Sequence, residues 1–183
     1  MAGIALVRVD DRLIHGQVVV KWLRHLDCRD ILVVDDELRR DNFMQTVLRM
    51  AAPAGVRVRV AAVAEAAGLF RVPAANGHGV LVLVRTPQTA LAMLHHGCSF
   101  SELNLGGLAS GPGSARLFRS VSASESQLAA LNEMRNRGVR VYIQMVPEER
   151  PLELADVLPA QSTESRPAMS PEVDLERTHA DGG

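Results

Sequence analysis

Seven consecutive residues, "DDRLIHG" (10–16), place two carboxylates, a guanidinium and an imidazole in one short turn. Histidine is the side chain whose uncharged imidazole serves most readily as a nucleophile near neutral pH, and His15 is the candidate here. Arg12, three residues earlier, carries a positive charge that does not titrate in this range. The run that follows, "GQVVVKWLRHL" (16–26), has helical spacing with Val19, Val20, Leu23 and Leu26 near one face. A helix opening there turns the backbone N–H groups of Gly16 and Gln17, and the positive end of its dipole, toward an anion. An imidazole beside an arginine and a helix N-terminus is suited to receiving and holding a phosphoryl group. The acids have two readings. Asp10 or Asp11 could accept the ring N–H and fix the tautomer, or either could pair with Arg12 and brace the turn. The sequence leaves both open.

The elements around this turn must place it at the edge of a sheet. Apolar runs of strand length occur at 4–9, 30–35, 55–63, 79–84, 102–107, 116–121 and 139–146, and helical patterns lie between most of them. The helical stretches are 16–26, 37–51, 63–72, 86–97 and 122–138. Within 37–51, Leu38, Phe43, Met44, Val47, Leu48 and Met50 recur at helical spacing. "TPQTALAMLHHG" predicts Thr86 as N-cap, Pro87 in the first turn and Gly97 past the end. Ser122 with Glu125 reads as a capping box for the last helix. Strands that are apolar on both faces and alternate with helices predict an α/β fold. It is an open, mostly parallel twisted sheet of about seven strands, with helices on both faces. In such sheets ligands sit beyond the carboxyl ends of the strands, where the turn after the first strand lies.

A second stretch, "NLGGLASGPGS" (104–114), follows a strand of the same sheet. Asn104, Gly106 and Gly107 there form a second candidate loop, with glycines that allow a close backbone approach; a plain surface loop is the other reading. Other chemistries find less support. "HHGC" (95–98) with His25 and Cys28 matches no zinc spacing, so no metal is expected. The first turn lacks both the dinucleotide glycine fingerprint and the P-loop pattern, and no cofactor is expected. Asp35 and Asp36, at the end of the second strand, read as caps of the next helix.

Bulk properties narrow the partners. The 183 residues are 47% hydrophobic but 3% aromatic, so the core is aliphatic. The net charge of −1 gives no electrostatic case for nucleic acid or an anionic membrane. Cys28 and Cys98 form no disulfide pattern, which fits a reducing cytoplasm. No apolar run reaches the roughly 20 residues of a membrane span, so direct membrane insertion is not expected. The organisation expected is a folded domain over 1–158 and a Ser/Pro/Glu-rich, disordered tail over 159–183.

"VDDRLIHGQV" closely resembles the active-site loop of the enzyme IIB components of the mannose/fructose/sorbose family of the bacterial phosphoenolpyruvate-dependent sugar phosphotransferase system. Trp22, "ILVVDDE", "AAPAGV" (51–56), "NLGGL" (104–108), "SVSASE" (120–125) and "RGVRVYIQMVP" (137–147) resemble family segments in the family order, over about residues 3–158. The resemblance implies a phosphocarrier of the same open α/β fold. His15 would accept a phosphoryl group on its δ1 nitrogen from a phosphohistidine of a IIA protein and pass it to a sugar bound by the membrane components IIC and IID. Arg12 would help bind that group, and Asp10 would be the loop acid that supports the histidine. A cytoplasmic protein recruited to the membrane through IIC/IID is implied; homo-oligomerisation is left open. Leu108 stands where many members have methionine, and "SGPGSARLF" (110–118) departs from the lysine-bearing stretch common there. These departures bear on the sugar and on transport as against a purely regulatory phosphorelay. A non-catalytic metabolite-binding module is the remaining rival.

Overall fold

Alternation along the strands sets the layers. The computed structural model describes residues 3–70 and 79–158; the expected tail, 159–183, and the end of the helix predicted over 63–72 lie outside the described residues. In chain order the elements are β1 (Ile4–Asp10), α1 (Gly16–His25), β2 (Asp30–Val34), α2 (Asn42–Ala51), β3 (Arg57–Ala61), α3 (Val63–Leu69), β4 (Val80–Val84) and α4 (Pro87–His95). They continue with β5 (Glu102–Gly107), β6 (Ser114–Phe118), β7 (Val121–Ser124), α5 (Glu125–Asn136), β8 (Arg140–Ile143), β9 (Leu152–Glu153) and α6 (Leu154–Val157). The main sheet has seven strands in the order β3-β2-β4-β1-β5-β8-β9, parallel except for β9. Val7 and Val9, Leu32 and Val34, and Val82 and Val84 share one core with Ala66, Ala90, Met93, Leu131 and Met134 of α3, α4 and α5. The intervening Leu6, Ile31, Val33, Leu81 and Leu83 share the opposite core with Val19, Trp22, Leu23 and Leu48 of α1 and α2. This is the period-two alternation of strands buried on both faces.

Connectivity singles out one crevice. The chain leaves β1 toward β2 on one side of the sheet and leaves β5 toward β8 on the other, although β1 and β5 are hydrogen-bonded neighbours. Loops that diverge from adjacent parallel strands open a cleft between them. The turn 11–15 and the segment after Gly107 form its two lips.

Four local expectations need correction. The strand predicted over 116–121 is a hairpin outside the main sheet: β6 and β7 pair antiparallel, turning at Arg119 with φ 40°. The seventh strand of the main sheet is instead the two-residue β9, too short to carry a hydropathy pattern. Because β7 runs to Ser124, the capping box is Ser124 with Gln127, and Ser122 lies buried in the strand. The helix predicted over 37–51 is broken into a 3-10 turn, Leu38–Arg40, and α2, which Asp41 caps by accepting the Met44 N–H at 2.9 Å. Asp35 accepts the N–H groups of Glu37 and Leu38 at the 3-10 turn, but Asp36 caps α3, accepting the Val63 N–H at 2.8 Å. Thr86, Pro87 and Gly97 (φ 89°) occupy the predicted positions around α4.

The break also turns α2. Gln45 and Leu48 face inward, and the Gln45 amide donates to the carbonyls of Leu38 and Arg39 at 3.0 and 2.9 Å. Phe43 and Met50 are consequently 75% and 81% exposed, against their apolar spacing. Among the described residues no helix is long and apolar enough to cross a membrane.

Candidate functional site

Burial within the turn explains its residue order. Leu13 and Ile14 insert into the core beneath α1, while Arg12 and His15 on either side of them are exposed. Leu13 takes a left-handed φ of 55°, and its N–H donates to the Asp10 carbonyl at 2.9 Å. Such a conformation costs a leucine of order 1–3 kcal/mol, and burial of the two aliphatics offsets it. His15 is the residue immediately before α1 and gives the helix no side-chain cap; the first turn carries no acid. The opening N–H groups of α1 therefore remain available to an anion beside the imidazole. Gly16 has φ 46°, where a β-carbon would be strained. Gln17 is exposed on the first turn.

Asp10 ends β1 fully buried, and its carboxylate is used by arginines. Arg12 donates to Oδ1 through Nε at 3.0 Å and through its backbone N–H at 3.3 Å, and to Oδ2 through Nη2 at 3.3 Å. Arg8 donates to Oδ2 through Nη2 at 2.9 Å. Asp11 accepts the Ala109 N–H at 3.0 Å, and its own N–H donates to the Gly107 carbonyl at 3.2 Å, so it fastens one lip of the cleft to the other. Among the described residues neither carboxylate hydrogen-bonds the His15 ring. In this geometry the aspartates brace the turn rather than orient the imidazole.

Arg8 was not singled out in the sequence. It lies in the middle of β1 with 1% of its surface exposed. Its Nη1 donates to Asn104 Oδ1 and, at 3.1 Å, to the Gln144 carbonyl, while its guanidinium lies 5.4 Å from the Trp22 ring centroid. Trp22 is itself held by Nε1 donating to the Met145 carbonyl at 3.1 Å. A charge so buried persists only with a partner. Burial pushes the Arg8 pKa down, and the Asp10 carboxylate opposes that shift; the Arg12 pKa is pushed up, chiefly by its hydrogen bond to Asp10. One signal was present: residues two apart on a strand share a face, so an arginine inside an apolar strand, two before an aspartate, marks an internal ion pair.

The second candidate loop proves to be strand. Asn104, Gly106 and Gly107 belong to β5 and are buried. A β-carbon on Gly106 would stand 1.8 Å from Arg8 Cζ, and one on Gly107 would stand 2.9 Å from Asp10 Oδ1 and 3.2 Å from Arg12 Nη2. The glycines make room for the arginine–aspartate network, and Asn104 is a ligand of that network. The loop proper begins at Leu108, which bonds Ser120 and Ser122 and so ties the β6–β7 hairpin to the end of β5. His95 and His96 lie elsewhere, at the end of α4, bonded to Glu133 and to the Ala92 carbonyl.

Comparison with known proteins gives a consistent match. The family described as "PTS system sorbose subfamily IIB component" matches residues 4–168. The sorbose-specific EIIB component of Klebsiella pneumoniae is 32% identical over 153 residues, covering 84% of the chain and 93% of that protein. The mannose-specific EIIAB component of Escherichia coli strain K12 is 31% identical over 155 residues, and the chain spans 48% of its length. Among solved structures, the IIBSor domain of the Klebsiella pneumoniae sorbose permease superposes with a TM-score of 0.78 at 32% identity, covering 84% of this chain and 94% of that one. The structure of manxB from Thermoanaerobacter tengcongensis superposes with a TM-score of 0.78 at 35% identity, covering 84% and 93%.

Proposed function

The chain belongs to the sorbose-subfamily IIB components of the sugar phosphotransferase system, and on that premise we propose that His15 carries the phosphoryl group. IIB components of this family are phosphotransferases that take the group from a IIA protein and deliver it to a sugar at the IIC/IID components. What supports the assignment is one arrangement: an exposed imidazole at the open N-terminus of α1, three residues after an arginine held at a carboxylate, at the cleft between the diverging strands β1 and β5.

The chemistry is displacement at phosphorus, in line and without redox change. A neutral His15 attacks through the lone pair of its δ1 nitrogen. The phosphorus–nitrogen bond to the donor histidine breaks as the new one forms, and the electron pair returns to the donor imidazole. Charge spreads over the three phosphoryl oxygens at the midpoint. Arg12 and the N–H groups of Gly16 and Gln17 stabilise it there, while Leu13 and Ile14, fixed in the core, keep the acceptor in place. In the second transfer a sugar hydroxyl oxygen attacks, the bond to His15 breaks and the hydroxyl proton is released.

Relatives are named for sorbose, mannose, fructose and N-acetylgalactosamine, and the sugar of this chain belongs to that range. Membrane vesicles carrying IIC and IID, supplied with phosphorylated IIA and each labelled sugar in turn, should form sugar phosphate when the chain is added. Formation should cease with His15→Ala. Undiminished formation with that variant would remove His15 from the pathway.

A further inference from the structure

Two arginines share one buried carboxylate, and they are held differently. Arg8 is clamped from four directions: by Asp10 on its own strand, by Asn104 of β5, by the Gln144 carbonyl after β8, and by the Trp22 ring of α1. The absent side chain of Gly106 leaves the space its guanidinium fills. It has no room to move. Arg12 has a side chain 41% exposed, and among the described residues its hydrogen bonds go to Asp10 alone, at 3.0 to 3.3 Å. A phosphoryl group on His15 competes with Asp10 for Arg12. Asp10 itself is buried, and a buried carboxylate abandoned by its cation is strongly unfavourable. A turn with Arg12 as the sole counter-ion of Asp10 would resist releasing it.

We infer that Arg8 is a positioning residue for phosphoryl transfer: as the fixed counter-ion of Asp10, it leaves Arg12 free to exchange the carboxylate for the phosphoryl group. The inference rests on His15 as acceptor and adds a division of labour between the two arginines. Arg8 keeps Asp10 neutralised in both states, and Arg12 moves between them. Asp10 in turn holds Arg12 within the turn that carries His15 before the donor arrives. The burial that lowers the Arg8 pKa and the repulsion from Arg12 that adds to it are consistent with two cations crowded on one anion.

The charge of Asp10 provides the test. With that charge present, Arg8→Gln should trap Arg12 and lower the transfer rate from phosphorylated IIA at saturating donor by tenfold or more, with the KM for the donor changed less than threefold. With Asp10→Asn, nothing traps Arg12, so Arg8→Gln should have no further effect: the double variant should match Asp10→Asn within a factor of two. Loss of a contact to Asp10 is itself non-additive, so Arg8→Lys separates the roles: it keeps a counter-ion for Asp10 but not the planar clamp. Its rate should stay within threefold of wild type, and a loss as large as that of Arg8→Gln would overturn the proposal. If Arg8→Gln alone does not fold, the rate of Arg8→Lys against wild type decides the matter, since that variant keeps a counter-ion for Asp10 and leaves neither charge of the pair unpaired. A tenfold loss there overturns the proposal; equal rates support it. Wild type and His15→Ala run alongside: phosphoryl uptake unchanged in His15→Ala would sink the acceptor assignment and is separable from either result for Arg8.

Discussion

Replacing Gly106 with alanine should destabilise the fold by about 3–5 kcal/mol, and almost all of that cost should come from one side chain. Gly106 does not take a positive φ, so its backbone would tolerate alanine. Space forbids it: the new methyl would lie 1.8 Å from Arg8 Cζ and Nη2 and 2.3 Å from Nη1. Carbon–carbon contacts are comfortable at about 3.5–4.0 Å, so the guanidinium would have to retreat by roughly 1.5–2 Å. Hydrogen bonds to Asn104, Gln144 and Asp10 do not survive a displacement of that size. Water cannot replace them in a site 1% exposed. Simple overpacking costs about 1–3 kcal/mol, and a buried charge stripped of its partners about 3–5. Urea unfolding of wild type and Gly106→Ala measures the loss. Repeating it in an Arg8→Met background isolates the cause, because a flexible apolar chain can yield to the methyl. The alanine should then cost less than about 1 kcal/mol, a non-additivity expected of residues in contact. A cost below about 1 kcal/mol in the wild-type background, or the same cost in both, would refute the reasoning.

Three further outcomes follow from the same structure. Gly68→Ala, in α3 with nothing within 4 Å of the added methyl and no positive φ, should stabilise the chain by about 0.4–1 kcal/mol in the same unfolding assay. Burial pushes the Cys28 thiol up to about 11 and the Cys98 thiol up as well, so the thiolate is disfavoured in the folded chain. At pH 8 a thiol reagent should modify the folded protein on the order of a hundredfold more slowly than the urea-unfolded one; the stability gained by keeping Cys28 neutral should fade as pH climbs from the ordinary thiol range toward 11.

The site was legible where its chemistry is local. "DDRLIHG" holds the proposed nucleophile, the exposed cation and the helix start within seven residues, and the strand–turn–helix context was readable from periodicity. Thr86 and Pro87 marked α4 for the same reason: capping is a matter of neighbours. Illegibility began with distance along the chain. Asn104 and Gln144, the ligands of Arg8, lie 96 and 136 positions away from it. Gly106 therefore read as a loop glycine, although its role is to admit a side chain from another strand. The two aspartates could not be told apart either, because Asp11 is occupied by the Ala109 N–H across the cleft. The sixth strand was misplaced because β6 and β7 pair with each other, and the residues that separate a hairpin from a sheet member are its partners. Gln45 illustrates the same limit in a helix: hydropathy placed Phe43 inward, but a buried amide bonded to the preceding turn decided the rotation.

The proposed role of this turn is to carry a phosphoryl group on one imidazole. Its most direct test is to phosphorylate the full chain with phosphorylated IIA and locate the modification by peptide mapping, with nitrogen–phosphorus NMR for the atom. The expected result is a single acid-labile phosphoryl group on the δ1 nitrogen of His15, absent from His15→Ala. A phosphoryl group found on any other residue, or retained by the His15→Ala chain, would contradict it.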